Sequence, residues 1–435
     1  MKNSKLVFIG LIALAVVISS YALKKDSTDP IDEAAIEMEA AELPGATVLA
    51  FGPDNVLFIG DSKSAVVHAV ATKGEQLKDN VPFNMVDFDQ LLAKKLGVEP
   101  RDVIINDMKI HPKTQEAYLA VQKGHEPGSP SMIAVVNPMS QEIRFLDLNG
   151  SSKVSVKDPA SDDLVFYRTT PASSLTITDI DYHEGFIYVA GLSNGEFASS
   201  LRKIAYPFNK DQTMPNSIEV YHAVHTQKET RAPIRTMTIV EVGGESVLLA
   251  SYTCTPLVVI PLSEIQAGKD IKGKTIAELG YGNTPIDMIT YMTQGQDGSY
   301  SQNILITHKH RSGSLIAMAD LEKAATQGEG MAGISAMAPM GTEGMQIGTA
   351  PTAATLHMDV QNQMMVTALK RNIETGGLDL VSEIAGAFLR LSEFVSEYDF
   401  PDYRYSEKQE MTKQQHDMMK PMEGYPELMS DKTGK

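Results

Sequence analysis

Ile105-Asn106-Asp107-Met108 opens a strand-like apolar run, and short relatives of this start recur down the chain. Thr178-Asp179-Ile180, Arg235-Thr236-Met237, Ile286-Asp287-Met288 and Ala354-Thr355-Leu356 fall in the same slot. Val48-Leu49, ahead of Phe51-Gly52-Pro53, fits it as well. A second apolar strand follows each start within roughly a dozen residues, at 56–59, 117–121, 186–190, 247–251, 303–307 and 364–368. The six starts lie about 61 residues apart on average, a repeat long enough for one small sheet each. A fixed period of this size, built from short strands, is the signature of a β-propeller, in which each repeat is one blade. The expected fold class is therefore all-β, a β-propeller of six blades, with seven as the alternative.

The flanks of the repeats read differently. Lys2 and Lys5 precede the apolar stretch 6–18, and Ser20-Tyr21-Ala22 supplies a small-x-small cleavage site. Residues 1–22 thus read as a signal peptide, with an uncleaved anchor as the alternative because the mostly apolar stretch 6–23 reaches the shortest spanning length. Residues 23–42 are acidic and Ala-rich and read as a linker. The propeller is expected over 43–398, interrupted by a Gly/Ala/Met-rich loop at 324–353, and 399–435 read as a polar, mobile tail. Helical spacing at 88–96 predicts a short helix between the first two repeats. The chain is thus expected to be exported, to the periplasm or beyond the cell.

The 435 residues carry 38 Lys and Arg against 55 Asp and Glu, a net charge of −17. Such a chain is repelled by phosphate backbones and anionic lipid, which argues against nucleic acid and leaves the uncleaved anchor as its only route to a membrane. Cys254 is the single cysteine, so no intrachain disulfide forms, and its apolar setting reads as a buried thiol. No G-x-S-x-G elbow is present. Gly268-Lys-Asp-Ile-Lys-Gly-Lys274-Thr275 matches a phosphate-binding pattern letter for letter, but Gly280, Gly282 and Pro285 deny it the helix such a loop needs.

Asp107, Asp179 and Asp287 hold one position in three repeats. The innermost strand of each blade lines a propeller's axis, so the three carboxylates are expected to converge there. They repel one another unless a hard cation such as Ca2+, protons or lysines neutralise them. Asn106 and Asn283 are candidate neutral ligands. The alternative is that each Asp bonds backbone amides within its own blade. The histidines offer His222-x-x-His225 with Glu229, and His308-x-His310, two residues apart on one strand face. Met331, Met337, Met340 and Met345 fall in the 324–353 loop, and Met411, Met418, Met419, Met422 and Met429 join His416 in the tail. Thioethers are soft ligands, so these methionines make Cu(I) the second metal expectation, against an apolar packing role.

Three stretches, Ile187-Tyr-Val-Ala-Gly-Leu-Ser-Asn-Gly-Glu-Phe-Ala-Ser-Ser-Leu-Arg202, Tyr252-Thr-Cys-Thr-Pro-Leu257 and Gly273-Lys-Thr-Ile-Ala-Glu-Leu-Gly280 with Pro285-Ile-Asp-Met288, carry a resemblance. They resemble exported bacterial β-propeller-like proteins with YVTN/lactonase-like repeats, a group without an assigned role. The resemblance implies the fold and an exported location and transfers no catalytic residue. The aspartate ring is similar to the arrangement in propeller lactonases, which implies an axial metal beside an acid or base. Three functions therefore stand open. One is a non-enzymatic binding or scaffold protein for a partner protein or small ligand, another a metal-dependent lactonase-type hydrolase, the third a copper-handling protein.

Overall fold

The computed structural model describes residues 42–384, apart from 127–128, 167–169, 210–213, 230, 254, 281–283, 310–311, 337, 343, 351, 353, 364 and 373–374. The signal, linker and tail readings lie outside these residues, as do Cys254, Asn283, His310 and Met337. The described residues are all-β in a propeller-like arrangement, with four four-stranded sheets, one ten-stranded sheet and one two-stranded sheet.

Each sequence start opens a central strand: β1 Ala46–Phe51, β2 Val103–Ile110, β3 Asp179–His183, β4 Ile234–Val242, β5 Pro285–Gln294 and β6 Thr355–Asn362. The second strand of each repeat pairs antiparallel with it, for example Val56–Asp61 on β1. Between these two, Asp54 and Asn55 adopt left-handed backbone (φ 54° and 63°), a conformation that Asp and Asn tolerate better than most residues. The six central strands adjoin one another in a closed cycle. Its order is β2, β1, β3, β4, β5, β6 and back to β2, so the first two repeats are exchanged relative to the chain.

The outer edges explain the exchange. After Val66–Ala71, the chain leaves its own sheet and lays Asn84–Met85 on the outer strand Leu378–Ile384 of the β6 sheet. It then forms α1 (Phe88–Leu96), builds the β2 sheet, and returns to pair Ser152–Ser155 with Val66–Ala71. Helix α1 has the bounds its apolar spacing predicts: Phe88, Leu92, Ala93 and Leu96 are buried in the core shared by the β2 and β6 sheets. Gly97 ends it in left-handed backbone (φ 68°), the usual role of glycine at a helix C-terminus.

Two expectations need correction. Strand-like spacing ahead of the Arg235 start sets the expected fourth repeat at about 217–262, but residues 216–222 do not open it. Asn216–His222 pairs with Ser199–Ala205 as the outer strand of the third, and runs parallel to Ile271–Glu278 of the fourth. That parallel pairing fuses the two repeats into the ten-stranded sheet. The 324–353 stretch is not one open loop either: helix α2 (Met318–Gln327) enters it, and Met340–Gly341 and Gly348–Ala350 add edge strands. The phosphate-loop look-alike lies in and before the strand Ile271–Glu278, where Lys274 donates to the Ala325 carbonyl (2.8 Å) and Thr275 to the Tyr221 carbonyl (2.7 Å). Among the described residues, no helix is long and apolar enough to cross a membrane.

Candidate functional site

In a strand, residues two apart share a face, and the central strands use this to build two layers about the axis. The first layer holds Val48, Asp107, Asp179, Thr236 and Asp287 at the repeat position and, two residues beyond the Thr355 of the sixth start, His357. All six line a cavity of about 150 Å³. The second layer lies two residues on, at Ala50, Lys109, Asp181, Thr238, Ile289 and Asp359. All six line a wider cavity of about 580 Å³. Lys109 and Asp179 border both cavities. A β-bulge sits at or just before the first layer in β1, β2, β4, β5 and β6, where the extra residue re-aims the side chains that follow.

The aspartates tie neighbouring strands together. Asp107 accepts from the amides of Met108 (2.7 Å) and of Leu49 on β1 (2.6 Å). Asp179 accepts from Ile180 (2.8 Å) and from Met237 on β4 (2.6 Å), and Asp287 from Met358 on β6 (2.9 Å). The second layer repeats the device one step along, with Asp181 on Ile239 (2.9 Å) and Asp359 on Ile110 (2.6 Å). The carboxylates thus bond amides as the alternative reading held, but across to the next central strand as well as on their own. Hydrogen bonds to a neutral carboxyl are each worth about 0.5–1.5 kcal/mol, and more where it is ionised. The β4–β5 and β1–β3 seams present Thr236 and Val48 in the first layer. At the latter, the Thr47 and Ser62 hydroxyls bond the Ile177 carbonyl instead.

Electrostatics follow from burial. Burial alone would lower the Lys109 ammonium, yet Asp107, Asp359, Asp287 and Asp179 together hold it well above the ordinary lysine value. Burial pushes Asp107 up to about 6, with Lys109 opposing and Asp287 adding to the rise. It pushes Asp179 up to about 8 against the pull of Lys109, and raises Asp181 and Asp359 as well. His357 is raised because Asp287 and Asp107 outweigh its desolvation. Its Nε2 lies 3.1 Å from the Ile105 carbonyl, an acceptor only, so this nitrogen carries the proton. One ligand atom each from Asp107, Asp287 and His357 lie within 4.8 Å of one another.

Asp107, Asp179 and Asp287 therefore meet at one cavity. His357, Lys109, Asp181 and Asp359 were not singled out from the sequence. Lys109 and Asp181 stand two residues beyond a repeat position, where strand periodicity shows them, and Asp359 two residues beyond His357. His357 fills the sixth place of the first layer, which the start Ala354-Thr355-Leu356 had set at Thr355; the register there stands two residues on, past a bulge between Thr355 and His357. Asn106 borders the narrow cavity with its side chain donating to the Ala46 carbonyl (3.0 Å).

The other candidates lie elsewhere. The His222 and His225 rings do converge, edge to face at 4.5 Å. His222 is spanned by Glu229 (3.3 Å) and Thr255 (2.8 Å), and Thr255 bonds the Glu278 carboxylate, which also accepts from Ala223 (2.7 Å). His308 bonds Ser314 (2.9 Å). Met331 packs with Ala223 and Ala336, Met345 belongs to a different apolar cluster beneath α2, and Met340 is more exposed. Two of the loop methionines thus have the packing role for which composition alone offered no reason.

No protein-family model matches the chain, and no curated protein matches it. The solved structures it resembles are β-propeller proteins. Hydrazine synthase of Kuenenia stuttgartiensis is 12% identical, covering 80% of this chain and 97% of that one, with a TM-score of 0.27. The extracellular domains 1-2 of Drosophila Semaphorin 1b are 9% identical over 80% and 87%, with a TM-score of 0.32. A putative 6-phosphogluconolactonase of Bacteroides uniformis is 11% identical over 79% and 81%, with a TM-score of 0.26. Likenesses at this level are similarities only and carry no argument about what this chain does.

Proposed function

We propose that the chain is an exported six-bladed β-propeller that acts as a binding protein, with a small ligand seated in the wide axial cavity. The count of six is supported by the six central strands in one cycle, with the ten-stranded sheet read as two blades fused at their outer edges. One observation supports the ligand reading above the others. The wide cavity, at about 580 Å³, is in the range of small-molecule pockets, which pair apolar walls with a few convergent polar groups. Here Ile289 and Tyr291 contribute to the wall, and Asp181, Asp359 and Lys109 gather at the axis. Carboxylates outnumber the ammonium there, so the ligand class is a small molecule carrying hydroxyl or amine donors. The lactonase-type hydrolase remains the second reading. It draws on the carboxylates and histidine of the narrow cavity and requires a cation there.

The test is extraction of the purified full chain followed by mass spectrometry of the released small molecules. Thr238→Trp places an indole in the wide cavity without touching an aspartate staple. The expected result is a stoichiometric small molecule from the wild type and none from Thr238→Trp. A wild type that releases nothing, or a variant that releases the same molecule in the same amount, contradicts the reading.

A further inference from the structure

His357 poses a problem that the ligand reading does not solve. Its side chain is 9% exposed and its Nε2 is committed to the Ile105 carbonyl. The other ring nitrogen, Nδ1, is buried and makes no hydrogen bond, although Asp287 Oδ2 lies 3.3 Å away. With the proton on Nε2, the Nδ1 lone pair faces a carboxylate oxygen, an arrangement that is repulsive unless a second proton, which would pair an imidazolium with Asp287, or a metal ion lies between them. Asp107, the third member of the group, brings a second buried carboxylate to the same space.

We propose that Asp107, Asp287 and His357 form a divalent-cation site at the narrow end of the axial channel, selective for a transition metal that accepts mixed nitrogen and oxygen ligands, such as Zn2+ or Mn2+. The donor set decides the class of ion. Three carboxylates would suit Ca2+, which takes oxygen ligands. Replacing one by an imidazole nitrogen moves the preference to metals that bind nitrogen and oxygen together. The second shell has the expected form: a ligating histidine donates its other ring N–H to a carbonyl, which fixes the tautomer and aims the free nitrogen at the metal. Asp107 is held by two backbone amides and Asp287 by one, so both carboxylates are oriented before an ion arrives. His357 Nδ1 and Asp287 Oδ2, 3.3 Å apart, already have the separation of two ligands on one ion at about 2.0–2.2 Å, and the Asp107 donor lies within 4.8 Å of both. The rest of the narrow cavity leaves space for water on the ion's open positions. This site goes beyond the ligand reading and stands without it.

The test uses the full chain, stripped with chelator, dialysed, and titrated calorimetrically with Zn2+ and separately with Mn2+. One equivalent is expected to bind, with affinity reduced at least about tenfold in His357→Gln. Asp287→Asn, which keeps an oxygen for the Met358 amide, is the second variant should the first fail to fold by circular dichroism. Absence of binding by both ions overturns the proposal, as does binding undiminished in the folded variants. Binding that is lost in His225→Ala instead assigns the ion to the His222 cluster and overturns it equally. An imidazolium NMR signal from His357 that persists at saturating metal does the same.

Discussion

At Asp179 two opposed forces meet on one carboxyl group. The amides of Ile180 and Met237 favour the charged form, and burial disfavours it more strongly, lifting the group to about 8. Its unfolded value is the ordinary 3.8. Between these limits the folded state holds a proton that the unfolded chain has released. Its contribution to stability is therefore complete below the unfolded value and is lost as pH rises through the folded one. Asp107, lifted to about 6, acts in the same sense over a narrower window. In chelator-containing buffer, the urea midpoint is expected to fall between pH 5 and pH 9, with a shallower fall in Asp179→Asn. A midpoint that rises across this interval, or an unchanged slope in the variant, contradicts the assignment. The residue scale is also where the sequence was most legible. An aspartate recurring at one slot in three repeats marked the axis. Lys109 and Asp181 were readable by the same alternation, two residues on. His357 and Asp359 were not, because the sixth start was aligned on Thr355, with no aspartate to fix its register and a bulge between Thr355 and His357 that the sequence does not announce.

Among the elements, a very short strand has a large structural consequence. Asn84–Met85 is two residues long and closes the outer edge of the β6 sheet against Leu378–Ile384, far along the chain. Phe83 beside it is buried, donates its amide to the Ser382 hydroxyl (2.9 Å) and accepts from the Ser382 amide (2.9 Å). Helix α1 continues the clasp: Asp89 accepts from the Leu378 amide (3.0 Å), and the Asp87 amide donates to Asp379 (2.9 Å). Removing the Phe83 ring leaves a cavity in the core shared by α1 and the β2 and β6 sheets. Phe83→Ala is expected to cost about 3–5 kcal/mol in denaturant unfolding. It is also expected to speed hydrogen exchange first in Leu378–Ile384, the strand it clasps. Loss of protection elsewhere with that strand unaffected contradicts the role. Nothing in the local sequence announces this strand, since a two-residue pairing carries no periodicity. Helix α1, with nine residues of regular apolar spacing, was legible to its ends.

For the whole molecule, the repeats specified how many central strands there are but not their order about the axis. Pairing between central strands depends on contacts between repeats, and the chain exchanges its first two by lending outer strands across the ring. The parallel pairing of Asn216–His222 with Ile271–Glu278 is a second such contact, and it displaced the boundary that strand spacing suggested. What the fold achieves as a whole is two stacked rings of six positions, one bordering each cavity and joined through Lys109 and Asp179. Both proposed sites lie on that axis. The most direct measurement is experimental density along it, from full-chain crystals grown from protein purified without chelators. The account predicts a molecule seated against Asp181 and Asp359 in the wide cavity and a single strong peak among Asp107, Asp287 and His357. Ordered water alone in both cavities, or a ligand bound on an outer face of the sheets, would contradict it.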